Sequence, residues 1–92
     1  MIKHSNYFEG KVQSLGMNTK EGYATVGVIE PGAYTFNTAS EEHLTIIEGT
    51  IKAKLPGKDW TEVRTGEKII VQANASFEIE ATEDAAYICF YK

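Results

Sequence analysis

Apolar and polar positions alternate in short runs along most of this chain, the two-residue period of strands with one covered face. Residues 23–29 set Ala24, Val26 and Val28 on one side. Pro31-Gly32 ends that run, because proline fixes φ and glycine supplies a turn. Residues 33–38 resume the alternation, with Tyr34, Phe36 and Thr38 together. Residues 43–47 form the next apolar run, closed by Glu48-Gly49. Ile51, Ala53 and Leu55 then alternate with Lys52 and Lys54, the clearest half-buried strand in the sequence. Pro56-Gly57-Lys58-Asp59 and Thr65-Gly66-Glu67 bracket an extended stretch at 60–64. A short strand follows at 68–71. Phe77, Ile79 and Ala81 alternate with Glu78 and Glu80, and after Thr82-Glu83-Asp84 the residues Tyr87, Cys89 and Tyr91 alternate with Ile88 and Phe90. No segment sustains a helical period, and residues 1–12 carry no clear period of either kind.

Short strands separated by frequent turns predict an all-β sandwich or barrel, in one domain covering residues 1–92. Rolling the sheet up removes the open edges that a small β domain must otherwise protect. Two adjacent apolar pairs, Ile46-Ile47 and Ile69-Ile70, do not fit a single core, since neighbours on a strand face opposite ways. Some apolar surface therefore needs cover from outside one barrel, and a homodimer supplies it.

Composition narrows the function classes. With 92 residues, the chain buries only about 60–65% of its unfolded surface. Its 42% hydrophobic content nevertheless excludes a disordered chain. No apolar run approaches the ~20 residues of a membrane-spanning helix, and the opening Met1-Ile2-Lys3-His4-Ser5-Asn6 lacks the apolar stretch of a secretion signal. One cysteine cannot build an internal disulfide framework. The expected setting is the cytoplasm. Nine basic residues stand against 13 acidic ones, for a net charge of −4 with no basic cluster, which argues against nucleic acid as a partner.

Catalytic chemistry is reached by elimination. A metal site needs three or four convergent ligands. The two histidines are His4 and His43, and His43 faces away from its neighbour Glu42 on any strand. Nothing in the sequence brings Cys89 to a histidine, so it reads as a buried structural cysteine. No glycine-rich phosphate loop opens a helix. What remains is Glu42, at the head of an apolar strand, and a large share of aromatic residues.

Glu42, six residues, then Gly49 resembles the first motif of the cupin family, with Pro31-Gly32 at the motif's opening glycine. The stretch from Gly66 to Asn74 resembles the second motif, although Gln72 replaces the usual proline, Asn74 the glycine and Phe77 a metal-binding histidine. The His-x-His that should precede the glutamate is also replaced, by residues around Phe36 and Thr38. The pattern is that of a cupin-like jelly-roll barrel that has lost its metal. A second resemblance runs the length of the chain. Phe8-Glu9-Gly10-Lys11-Val12, Val26-Gly27-Val28, Gly32-Ala33-Tyr34-Thr35-Phe36, Thr38-Ala39, Leu55-Pro56, Asp59-Trp60 and Tyr87-Ile88-Cys89 occur in order. Together they are similar to the small cupin-type pyrimidine/purine nucleoside phosphorylases. That resemblance implies phosphorolysis of many ribonucleosides to free base and α-ribose 1-phosphate, without a cofactor, by a homodimer.

Such chemistry builds positive charge on the sugar as the glycosidic bond breaks. It asks for a carboxylate, an anchor for phosphate, and a flat wall that stacks any base. Glu42 is the candidate carboxylate, since the resemblance puts it at the cupin glutamate that faces the barrel interior. Tyr34, Phe36, Phe77 and Tyr91 are candidates for the wall. Thr38, Ser76 and Lys11 are candidates for phosphate or ribose contacts. Core packing for the aromatics, and solvent exposure for Lys11, are the competing roles. A non-catalytic cupin that binds a sugar or nucleoside is the alternative function, and a metal-dependent oxygenase is disfavoured by the missing histidines.

Overall fold

A computed structural model describes all of residues 1–92. The chain forms ten strands: β1 (His4–Tyr7), β2 (Val12–Thr19), β3 (Gly22–Ile29), β4 (Gly32–Asn37), β5 (Glu42–Glu48), β6 (Thr50–Lys54), β7 (Thr61–Arg64), β8 (Lys68–Val71), β9 (Ser76–Ala81) and β10 (Ala85–Tyr91). One 3-10 turn, Phe8–Gly10, joins β1 to β2. A six-stranded antiparallel sheet runs β1-β2-β3-β10-β5-β8, and a four-stranded antiparallel sheet runs β4-β9-β6-β7. This is the expected all-β, cupin-like barrel.

The core lies between the sheets. Ile29, Ile46, Ile51, Ile79, Val12, Val71 and Cys89 are its largest fully buried side chains. The alternations read from the sequence hold in β6 and β9, where Ile51, Ala53, Phe77, Ile79 and Ala81 are all buried. In β10, Tyr87 and Cys89 point inward while Ile88 and Phe90 lie on the outer side. The adjacent isoleucines split as strand geometry demands: Ile46 is fully buried and Ile47 is exposed.

Two strands invert the usual pattern. In β2 the buried positions are Val12 and Ser14, and Leu15 and Met17 face outward. In β3 the inward side carries Thr25, Gly27 and Ile29, so Val26 and Val28 belong to the outer face. The reason is the size of what packs against them. A Cβ on Gly27 would lie 2.5 Å from the Tyr87 ring, and one on Gly16 would lie 1.9 Å from the Tyr23 hydroxyl. Aromatic rings occupy the space that large aliphatic side chains would otherwise fill.

The 3-10 turn is made from left-handed backbone, with φ of 52° at Phe8, 56° at Glu9 and 89° at Gly10. Such angles are uncomfortable for the two non-glycine residues. They swing the aromatic side chains of Tyr7 and Phe8 onto β4. Phe8 meets Tyr34 at 5.0 Å and Phe36 at 5.3 Å between ring centres, and Tyr7 meets Phe36 at 6.2 Å.

Candidate functional site

Between the sheets, at the end where β4 and β9 face β5 and β10, the barrel opens into a cavity of about 250 Å³. It is smaller than the typical 300–1,000 Å³ pocket for a drug-sized ligand. β5 contributes Glu42 and Leu44, and β10 contributes Tyr87, Cys89 and Tyr91. The opposite wall is Phe36, Phe77 and Ile79, Tyr7 closes one side, and Asn37, Ala39 and Ser40 form the rim.

Glu42 supplies the cavity's one carboxylate. Its half-buried place at the start of β5 follows from the strand period that also buries Leu44 and Ile46. Cys89 lies beside it: the thiol donates to Glu42 Oε1 at 3.5 Å. Desolvation by burial raises the Glu42 pKa above its ordinary value, and the thiol's hydrogen bond lowers it in part. Burial, together with the charge of Glu42, pushes the Cys89 thiol up to about 12, so it stays protonated as a donor. Tyr87 is likewise pushed up to about 12 by burial. The Tyr91 hydroxyl sits 3.0 Å from Thr25 Oγ1.

The facing wall is aromatic and apolar. Phe36 and Phe77 stack with ring centres 5.6 Å apart and planes 26° from parallel. Aromatic side chains offer a planar ligand apolar contact without reading its hydrogen-bond pattern.

Of the residues singled out from sequence, Glu42, Phe36, Phe77 and Tyr91 converge on this cavity. Tyr34 does not: it is buried in the core, and its hydroxyl donates to the carbonyls of Glu30 (2.7 Å) and Pro31 (3.2 Å). Thr38 is also outside, its buried hydroxyl donating to Gln72 O at 2.6 Å and accepting from the Ala75 N–H at 3.0 Å. Ser76 is exposed at the start of β9, and Lys11 is exposed at the end of the 3-10 turn. Tyr34, Thr38 and Ser76 share a strand or a sequence motif with cavity residues but not the cavity itself, and Lys11 shares neither. Sequence reasoning passed over Tyr7, Asn37, Ala39, Ser40 and Tyr87 as site residues. The inward alternation of Tyr87, Cys89 and Tyr91 was a usable signal for Tyr87; Tyr7 depends on the left-handed turn, which has no periodic signature.

The histidines are elsewhere. His4 bonds Gln13 at 2.9 Å, and His43, on the other face of β5 from Glu42, pairs with Glu41 at 2.6 Å. No three or more His, Cys, Asp or Glu side chains come together as a ligand set. The residues at the metal-binding positions of cupins therefore do not fit a metal ion.

Two packed antiparallel sheets enclosing one acid in an aromatic cavity define a small cupin-type barrel. A cupin-2 domain from Rhodospirillum rubrum shares the fold, with a TM-score of 0.75 at 16% identity over 96% of this chain and 67% of that one. The chain belongs to the pyrimidine/purine nucleoside phosphorylase family, whose sequence profile matches residues 2–91. Relatives of that name from Magnetococcus marinus and Yersinia enterocolitica are 44% and 42% identical, each over 99% of this chain and over 99% and 98% of their own. A solved structure from Vibrio parahaemolyticus, described as a protein of unknown function, is 41% identical with a TM-score of 0.92 over 97% of this chain and 96% of that one.

Proposed function

We propose that this protein splits purine and pyrimidine ribonucleosides with inorganic phosphate, releasing the free base and α-ribose 1-phosphate, and does so without a metal ion. The observation that carries this is Glu42, half-buried and facing a stacked Phe36–Phe77 wall across one small cavity. The base lies against the aromatic wall, which tolerates any planar ring. As the bond from C1′ to the base nitrogen breaks, its electron pair leaves with the base, which takes up the proton that the phosphate gives up. A phosphate oxygen bonds to C1′ from the opposite side, and inversion there gives the α product. Positive charge peaks on the sugar between these events, and the half-buried carboxylate of Glu42 opposes it.

Family membership and the named relatives support the same reaction. The chain works as a homodimer, its outer face of Leu15, Val26, Val28, Ile47 and Ile70 covered by a second copy. Its setting is the cytoplasm, where its buried thiol stays reduced. The test incubates purified protein with uridine or adenosine, with and without phosphate, before and after chelator treatment. Ribose 1-phosphate formed from both nucleosides only with phosphate, and undiminished by the chelator, is the expected result. Absence of phosphate-dependent turnover would leave a nucleoside-binding cupin instead.

A further inference from the structure

The cavity presents an electrostatic problem to a phosphate-dependent reaction. Its lining carries one acid and no lysine, arginine or histidine. The basic side chains nearest in sequence to cavity residues are otherwise engaged: Lys92 Nζ lies 5.5 Å from the Phe90 ring centre and donates to Glu21 O, and His43 is paired with Glu41. A phosphate in this cavity must therefore be held by neutral donors.

The loop joining β4 to β5 offers them. The backbone N–H groups of Ala39, Ser40 and Glu41 make no hydrogen bond to any backbone acceptor in the chain. Ala39 and Ser40 line the cavity, and Ser40 adds a hydroxyl. The loop is clamped on both sides of these free donors. Thr38 N–H donates to Ala75 O at 2.9 Å, Asn74 N–H to Thr38 O at 3.0 Å, and Thr38 Oγ1 to Gln72 O at 2.6 Å. At the other end Lys92 N–H donates to Glu41 O at 2.8 Å. Thr38, a candidate ligand in the sequence, is thus an anchor for the segment that follows it. Fixed N–H dipoles need no reorganisation to receive an anion, which is how cation-free phosphate sites are built.

We propose that Ala39 and Ser40 form the phosphate subsite, with their two N–H groups and the Ser40 hydroxyl as its donors. This rests on the phosphorolysis proposed above and assigns that reaction's second substrate to a place. It carries a further consequence. Glu42 follows the loop directly, so its ionised carboxylate repels the phosphate that these donors attract. Phosphate binding should weaken as Glu42 ionises, and Glu42→Gln should tighten it.

The experiment titrates inorganic phosphate into ¹⁵N-labelled protein and follows the backbone amides, using the wild type alone and Glu42→Gln with uridine present. Saturable shifts centred on Ala39 and Ser40, with tighter binding in Glu42→Gln, are expected. Ser40→Ala should weaken phosphate by about three- to tenfold, the loss of one hydrogen bond to a charged group, and leave the uridine KM unchanged. Lys11→Ala, outside the cavity, should leave the phosphate KM unchanged. Phosphate shifts centred elsewhere, no shift in either protein, or a phosphate KM that moves with Lys11→Ala but not Ser40→Ala would overturn the assignment. Amide shifts in the loop without phosphate-dependent turnover would retain the anion site and reject phosphorolysis. Turnover without loop shifts would do the reverse.

Discussion

At the residue scale, Glu42 carries two opposed demands. The proposed reaction asks for its charge, and its burial disfavours that charge. Glu42→Gln keeps a hydrogen-bonding amide but cannot oppose the charge that appears only as the glycosidic bond breaks. Turnover should fall by about a hundredfold or more, by analogy with the loss of one oxyanion-hole donor, with a much smaller change in nucleoside binding. Stability should move the other way. The folded pKa of Glu42 lies above the unfolded value, so its favourable contribution is complete below the unfolded pKa and is lost as pH rises through the folded one. Thermal midpoints should therefore show Glu42→Gln above wild type at neutral pH, with the gap closing as the pH drops below the ordinary carboxylate range. A variant no more stable than wild type at neutral pH would contradict the desolvation account. Glu42 was legible in the sequence through its resemblance to the cupin glutamate, and the structure gives it the face of β5 that also buries Leu44 and Ile46. The donor loop beside it was not, because free N–H groups depend on which neighbours take up the backbone partners, and only the folded chain decides that.

At the element scale, β2 and β3 show where periodicity misleads. An alternating Val26 and Val28 looks like a core face, yet the core side of β3 carries Thr25 and Gly27. The information lay in β10, whose Tyr87 ring needs a partner strand without a side chain. A period-2 pattern reports that two faces differ, and the bulk on the opposing strand determines which of them turns inward. Gly27→Ala tests this. Its added methyl meets the Tyr87 ring at 2.5 Å, and the ring must shift on the cavity wall. The variant should fold with a lowered thermal midpoint, by about 1–3 kcal/mol for overpacking, and bind nucleoside more weakly. Unchanged stability and affinity would mean the ring is free to move. By contrast β6 and β9, whose buried apolar positions alternate strictly with exposed or half-buried polar ones, were legible from sequence residue by residue.

At the scale of the whole molecule, the six-stranded sheet leaves Leu15 51% exposed, Val28 54% and Ile70 48%. If a second copy covers this face, Leu15→Glu or Val28→Glu should halve the mass measured by light scattering at micromolar concentration and leave each barrel folded. A monomeric wild type would remove the proposed dimer. The strand order has another consequence, for motion. Glu42 and Cys89 stand on β5 and β10, strands paired on both sides, whereas Phe36 belongs to β4, the edge of the smaller sheet. Strands flanked on both sides open rarely, and edges open first. Amide hydrogen exchange should accordingly be slowest at Leu44 and Cys89 and faster along β4. Exchange in that order would mean that the β4 edge of the pocket opens before the strands that carry its acid, and that the surroundings of the charge outlast each local opening.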